Sequence, residues 1–209
     1  VETEPIDGLP CQFRTCYPAT LWPMELVQAS FKGHPFQAPQ TRFSNQSEAV
    51  IRIELECFSE KLSCDQLAFD QLRFFLRGPQ AYIGSLYELI FNNTLGIAIA
   101  DPSAKRSPVL LPKTALRPVG FEPHEVLLGT CPRQFWGYQL LSEYFSFPEK
   151  FLFVDLVDIP PSARVASNRL AIYLYLNRHL PDLERHVSAD TFQLGCTPIV
   201  NLFSLRSEP

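Results

Sequence analysis

Ala49-Val50-Ile51-Arg52-Ile53-Glu54-Leu55-Glu56-Cys57 decides the fold class. Ile51, Ile53, Leu55 and Cys57 alternate with Arg52, Glu54 and Glu56, and side chains two apart on an extended chain share a face. The stretch predicts a strand with one face in a core and the other in water, which is the pattern of an antiparallel sheet. Residues 71–77 repeat it, with Leu72, Phe74 and Leu76 on one side and Arg73, Phe75 and Arg77 on the other, until Gly78 and Pro79 stop the run. Ile83, Leu86, Tyr87 and Ile90 follow at helical spacing, and with Pro79 at the start they predict an amphipathic helix over 79–92. A strand over 96–100 comes next. Further strands are predicted over 151–158 and 169–177, a short helix opened by Pro181 over 181–187, and extended apolar segments within 192–205. A helix over 137–147 places Tyr138, Leu141, Tyr144 and Phe145 on one stripe, and Pro148 ends it. Residues 101–135 read as loops and short strands.

The fold class expected is α+β and β-rich, built of short, mostly antiparallel strands with a few amphipathic helices. The order strand, strand, proline-initiated helix, strand recurs about a hundred residues later. It suggests an internal duplication, with one subdomain over 1–112 and a second over 113–209; chance recurrence in a β-rich chain is the alternative. Nineteen prolines against nine glycines favour stiff connections, and seventeen phenylalanines supply area for a core or a permanent interface.

A hydrophobic share of 46% puts the chain among folding sequences, and a formal charge of −4 offers no basic field for phosphates, so nucleic acid is not an expected partner. No run approaches the 18 apolar residues of a membrane span, and the chain opens at Val1. A soluble piece of something longer, with no direct membrane insertion, is expected. Cys11, Cys16, Cys57, Cys64, Cys131 and Cys196 lie far apart and read as reduced, largely buried thiols.

The nucleophile elbow, the Walker loop, the dinucleotide fingerprint and the zinc helix are all missing from the sequence, so no catalytic, cofactor-binding or metal-binding residues are assigned and no cofactor is expected. His179 and His186 are spaced too irregularly for a metal face. His124 with Cys131 could be posed as a hydrolase pair, and Asp65 with Asp70 or Glu56 with Glu60 as glycosidase carboxylates; capping and solvated surface roles explain each. Arg73, Phe75 and Arg77 share the second face of their strand. They form the candidate partner interface, since arginine flanking an aromatic is the composition of interface hot spots, with packing inside the chain as the alternative.

Six strings spread over nearly the whole chain resemble one family. They are Pro10-Cys11-Gln12-Phe13-Arg14-Thr15, Thr20-Leu21-Trp22-Pro23, Leu72-Arg73-Phe74-Phe75-Leu76-Arg77-Gly78, Gly120-Phe121-Glu122-Pro123, Glu143-Tyr144-Phe145-Ser146-Phe147-Pro148-Glu149-Lys150-Phe151 and Gly195-Cys196-Thr197-Pro198-Ile199-Val200-Asn201-Leu202-Phe203. In this order they resemble the TssF (VasA/ImpG) family of type VI secretion baseplate proteins, whose members are considerably longer, so the chain reads as an internal fragment. The resemblance implies a non-enzymatic wedge component of a bacterial contractile injection machine, in the cytoplasm, at a baseplate docked on the inner-membrane complex. The implied partners are TssG, TssE, TssK and the VgrG spike, with a homodimer left open. It brings no catalytic residue. The rival readings are a β-rich sugar- or peptide-binding module, with Trp22, Trp136 and Tyr17 as an aromatic platform, and then a hydrolase. A concave site with convergent polar groups would favour the rivals, and a broad apolar patch the baseplate component.

Overall fold

In a computed structural model of the chain, residues 1–5, 10–103, 107–127 and 135–201 are described. Along the chain come β1 (Arg14–Thr15), β2 (Met24–Gly33), β3 (Ala49–Cys57), β4 (Leu72–Leu76), α1 (Gln80–Asn93), β5 (Thr94–Ala100), β6 (Val109–Pro112) and β7 (Leu116–Pro118). After them come α2 (Trp136–Ser146), β8 (Phe153–Leu156), β9 (Arg169–Leu176), β10 (Phe192–Gln193) and β11 (Ile199–Val200). The chain is α+β and rich in strands, and every strand pair among the described residues is antiparallel.

The chain divides into two compact units, and each is assembled from non-consecutive segments. One comprises Leu21–Pro118 and Leu152–Gly195; the other comprises Val1–Thr20, Val119–Phe151 and Cys196–Pro209. This partition differs from the consecutive halves 1–112 and 113–209 read from the sequence. Strands distant in sequence pair directly, so the strands of both halves interleave: β3 lies beside β9, and β4 beside β8.

The larger unit holds a five-stranded sheet in the order β2-β3-β9-β5-β6 and a four-stranded sheet in the order β10-β4-β8-β7. The alternation in β3 sets the register: Ile51, Ile53 and Leu55 stand opposite Leu174, Ile172 and Leu170 of β9. On the far side of β9, Ile97 and Ile99 of β5 meet the same Leu174 and Ile172. Leu72, Phe74 and Leu76 of β4 and Val154 and Leu156 of β8 belong to the same core, together with Ile83, Leu86, Leu89 and Ile90 of α1. Each such side chain, fully buried, contributes about 1.5–3 kcal/mol relative to exposure, so this core accounts for the unit. Helix α1 runs into β5 without a loop, and the Thr94 hydroxyl donates to the Ile90 carbonyl at 2.6 Å where the helix ends.

The second face of the five-stranded sheet is not simply wet, as the alternation in 49–57 predicts. Small residues Ala98, Ala100 and Ala171 leave room there for Tyr173, Tyr175 and Val50, against which Phe36, Ala38 and Phe43 pack. The Tyr175 hydroxyl donates to the Pro39 carbonyl at 2.6 Å. Glu54 is consequently buried, paired with Arg52, whose guanidinium lies 5.9 Å from the Tyr173 ring centroid. Gly96 sits at an irregularity of β5 where a Cβ would come within 2.2 Å of the Phe43 ring. Gly96→Ala is therefore expected to cost about 1–3 kcal/mol in denaturant unfolding, because the ring has packed neighbours and must be displaced.

Strand β2 went unpredicted over 24–33, and the reason is local. Its pairing with β3 shifts register between Leu26 and Gln28, so the apolar alternation slips by one midway. The remaining expectations for 151–158 and 181–187 are realised as β8 over Phe153–Leu156, preceded by a 3-10 helix at Pro148–Phe151, and as a short 3-10 helix, Pro181–Arg185, opened by its proline. Five residues opened by proline are too few to nucleate an α-helix without tertiary support.

Candidate protein-interaction site

The smaller unit is organised by helix α2, whose polarity is inverted. Its stripe of Tyr138, Leu141, Tyr144 and Phe145 faces outward, while Gln139 and Glu143, one turn apart, face in. What they meet is Lys150, brought back beneath the helix by the turn at Pro148–Phe151. Lys150 has no exposed surface and Glu143 is 1% exposed; Lys150 Nζ pairs with Glu143 Oε2 and donates to the Glu125 carbonyl at 3.2 Å. Glu143 Oε1 accepts from the Leu127 amide at 3.0 Å and from Gln139 Nε2 at 3.3 Å. Glu125 Oε2 accepts from the amides of Gly120 and Glu122 at 2.7 and 3.1 Å, and the Tyr17 hydroxyl donates to the Lys150 carbonyl at 3.1 Å. Gly120 has φ of 102°, and a Cβ there would stand 2.9 Å from the Tyr17 hydroxyl, so both conformation and space require glycine.

A buried ion pair with its remaining donors and acceptors satisfied fixes geometry more than it adds stability. Its chemistry is closed to substrate, because the ammonium is sealed from solvent. Burial also pushes up the neighbouring Cys16 thiol. The outcome is an oriented helix with an aromatic exterior: Phe135 is 71% exposed, Tyr138 68%, Leu141 54%, Tyr144 53% and Phe145 80%. The rings brace one another edge-on, Phe135 on Tyr138 at 5.7 Å between centroids and Tyr144 on Phe145 at 5.5 Å. Tyr144 and the 43% exposed Phe121 both lean on Phe151, which is buried. Besides these, the outward surface of α2 carries only Ser142 and Ser146, so it has no charge.

The sequence-predicted set lies on β4. Arg73 stands directly across from Asp155 of β8 and grips it with two parallel hydrogen bonds of 2.7 Å, while Gln71 Nε2 reaches the same carboxylate at 2.6 Å. Phe75 stands across from Phe153, with ring centroids 4.8 Å apart. Arg77 is exposed, at the end of the strand. Two of the three, Arg73 and Phe75, are thus engaged within their own sheet.

The rival constellations separate. Tyr17 is 3% exposed, and Trp22 packs on the main core edge-on to Phe69. His179 bonds Glu184 at 2.9 Å and His186 stacks on Tyr82, so they serve different contacts. Glu56 pairs with Arg169 at 2.8 Å, and Asp65 accepts from Ser63. His124 lies in a 3-10 turn; Cys131 lies outside the described residues. Cys57 and Cys64 are buried thiols with sulfurs 3.8 Å apart, and burial together with Cys57 pushes Cys64 up to about 12. Open clefts of about 250 and 480 Å³ flank Arg52, each shared among loop and strand residues of mixed polarity.

The profile of the family described as "Type VI secretion system, TssF" matches residues 1–209. The chain belongs to the TssF family. A curated relative, type VI secretion system component TssF1 of Pseudomonas aeruginosa, is 32% identical over 210 residues, which is 98% of this chain and 33% of the relative. A chain in the cryo-electron microscopy structure of a TssK-TssF-TssG baseplate subcomplex has the same fold, with a TM-score of 0.71 at 24% identity over 97% of this chain and 36% of that one. The chain thus spans about a third of the length of the two relatives it matches here. The outward sign of α2 was the part of the site that sequence reasoning missed. Its signal was present, since Gln139 and Glu143 are four apart and the aromatic stripe opposite them contains no charge.

Proposed function

We propose that this chain is part of a structural subunit of a bacterial type VI secretion baseplate, working by protein–protein contact and not by catalysis. The family match over residues 1–209 carries this reading. The uncharged aromatic face of α2 supports it, since such a patch suits a permanent interface and no small-molecule site. TssG and TssK are the proposed direct partners, on the strength of the subcomplex in which the fold recurs. TssE, the VgrG spike and a second copy of the subunit are the further partners expected of a wedge, at a cytoplasmic baseplate docked on the inner-membrane complex. Among the described residues no helix is long and apolar enough to cross a membrane.

Arg73, Phe75 and Arg77 are proposed as a second contact, with divided roles. Arg73 clasps Asp155 and shapes the sheet, while Arg77 is the exposed cation a partner would meet. Arg73→Ala is therefore expected to lose about 1–3 kcal/mol of stability, because it strands a mostly buried carboxylate. Arg77→Ala should change stability by less than about 0.5 kcal/mol and weaken partner capture. Thermal unfolding alongside co-purification separates the two. The reading as a whole is tested by co-expressing the tagged full-length protein with TssG and TssK. Recovery of a stable complex is expected, and a folded protein that retains neither subunit would overturn it.

A further inference from the structure

Cys57 closes β3 and Cys64 opens the 3-10 turn Cys64–Gln66, seven positions on. Their backbones are pinned side by side: the Cys57 amide donates to the Asn168 carbonyl at 2.8 Å, and the Cys64 amide to the neighbouring Ser167 carbonyl at 2.9 Å. Cys57 also stands opposite Met24 in the ladder with β2, so it moves only if the sheet does. The two thiols are buried in the main core with their sulfurs in contact, 3.8 Å apart. Between them runs a surface loop. Phe58, Ser59, Glu60 and Lys61 are exposed, and the Phe58 and Leu62 amides tie the loop down by bonds of 3.0 Å to the Pro23 and Ser59 carbonyls. An exposed loop held in this way opens at lower cost than β3, which has β2 on one side and β9 on the other.

We propose that Cys57 and Cys64 are a dithiol switch, which a peroxide converts to an intramolecular disulfide that locks the 58–63 loop onto the end of β3. Opening of the loop carries Cys64 toward solvent while Cys57 stays in the sheet. The Cys64 sulfur, as thiolate, attacks one peroxide oxygen; the O–O bond breaks, a sulfenic acid forms, and the departing hydroxide takes the thiol's proton and leaves as water. On reclosure the Cys57 sulfur displaces the sulfenic oxygen, which departs as a second water with the Cys57 proton. The thiols have then given up two electrons and two protons, and the peroxide has been reduced to water. A disulfide bond is about 2.05 Å long, so each sulfur moves by about 1 Å, a shift that side-chain rotation supplies while the amides stay on residues 167 and 168. In the closed state the pair is quiet. Burial, with Cys57 beside it, pushes the Cys64 thiol up to about 12, and the thiolate is the form that attacks. Loop opening therefore gates the reaction, and its product holds the loop shut until a thiol reduces it.

The test treats the reduced, natively folded full-length protein with hydrogen peroxide, blocks the remaining thiols with N-ethylmaleimide and digests the product unreduced with trypsin. Cleavage after Arg52, Lys61 and Arg73 puts Cys57 in the peptide 53–61 and Cys64 in the peptide 62–73, so a disulfide is what holds the two together. A linked pair that separates on reduction is expected. Recovery of the two peptides alkylated, carrying sulfinic acid, or joined to other cysteines would overturn the proposal. In Cys57→Ala, peroxide should leave Cys64 as a sulfenic acid that dimedone traps, whereas in Cys64→Ala the Cys57 thiol should stay alkylatable. The reverse pattern would overturn the gating by the loop. The linked protein should melt a few degrees above the reduced one and return on treatment with dithiothreitol, because the bond closes a short loop without displacing its ends. Equal melting temperatures would show that the bond locks nothing, and would overturn the proposal as well. All of these readouts are made without partner subunits, so they stand apart from the co-purification that tests the baseplate reading.

Discussion

Replacing Lys150 by methionine is expected to destabilise the smaller unit by about 3–5 kcal/mol, the usual cost of removing one partner from a buried ion pair. Lys150 and Glu143 are both sealed from solvent, so the variant leaves a carboxylate without its counter-charge in a low-dielectric site. Denaturant unfolding at pH 7, with α2 reported by Trp136, checks this. A loss under about 1 kcal/mol would mean that the pair contributes no more than an exposed one.

Phe31→Ala should be as damaging to the larger unit, at about 3–5 kcal/mol, the range for emptying a buried phenylalanine site. Phe31 has no exposed surface, stands opposite Ile51 in the β2–β3 register, and has its ring 5.6 Å from that of His179. His179 is itself held by Glu184, whose carboxyl accepts from the Gly33 amide at 2.8 Å and is lowered from its ordinary value chiefly by that bond. Removing the ring thus opens a cavity and loosens the 181–185 turn over the end of β2. For a chain of this size the expected fall in melting temperature is on the order of 10 °C. Phe31→Leu, which keeps most of the volume, should cost under about 1.5 kcal/mol. Equal effects from the two substitutions would show that the site relaxes and is not tightly packed.

These two residues mark the boundary of what was legible in the sequence. Neither attracted notice there. Phe31 lies in a strand whose alternation is broken by the irregularity at Leu26/Gln28, and a period-2 pattern that slips midway resembles no pattern at all. Lys150 follows the loop after α2 and looks like any exposed lysine, since nothing local says that Glu143 and the Leu127 segment close over it. By contrast, the alternation that puts Leu72, Phe74 and Leu76 in the core is a local fact, legible within one strand. That Asp155 waits across the ladder from Arg73, eighty-two positions on, is a long-range one.

The sequence by itself determined the secondary elements with unbroken periods, the antiparallel and β-rich class, and the family. Strand 49–57 and the helices read over 79–92 and 137–147, found as Gln80–Asn93 and Trp136–Ser146, follow from side-chain spacing along a single element, and the six strings in order follow from the residues alone. The tertiary structure alone decided how the chain partitions into units, that β3 and β9 are neighbours, and which side of α2 faces inward. The physical reason is that a helical or extended period fixes the angle between side chains but not the sign of burial. An aromatic stripe normally turns inward because the hydrophobic term is the largest available. On α2 that preference is overturned: Lys150 satisfies Glu143 on the opposite face, and both groups would be stranded if the helix rotated.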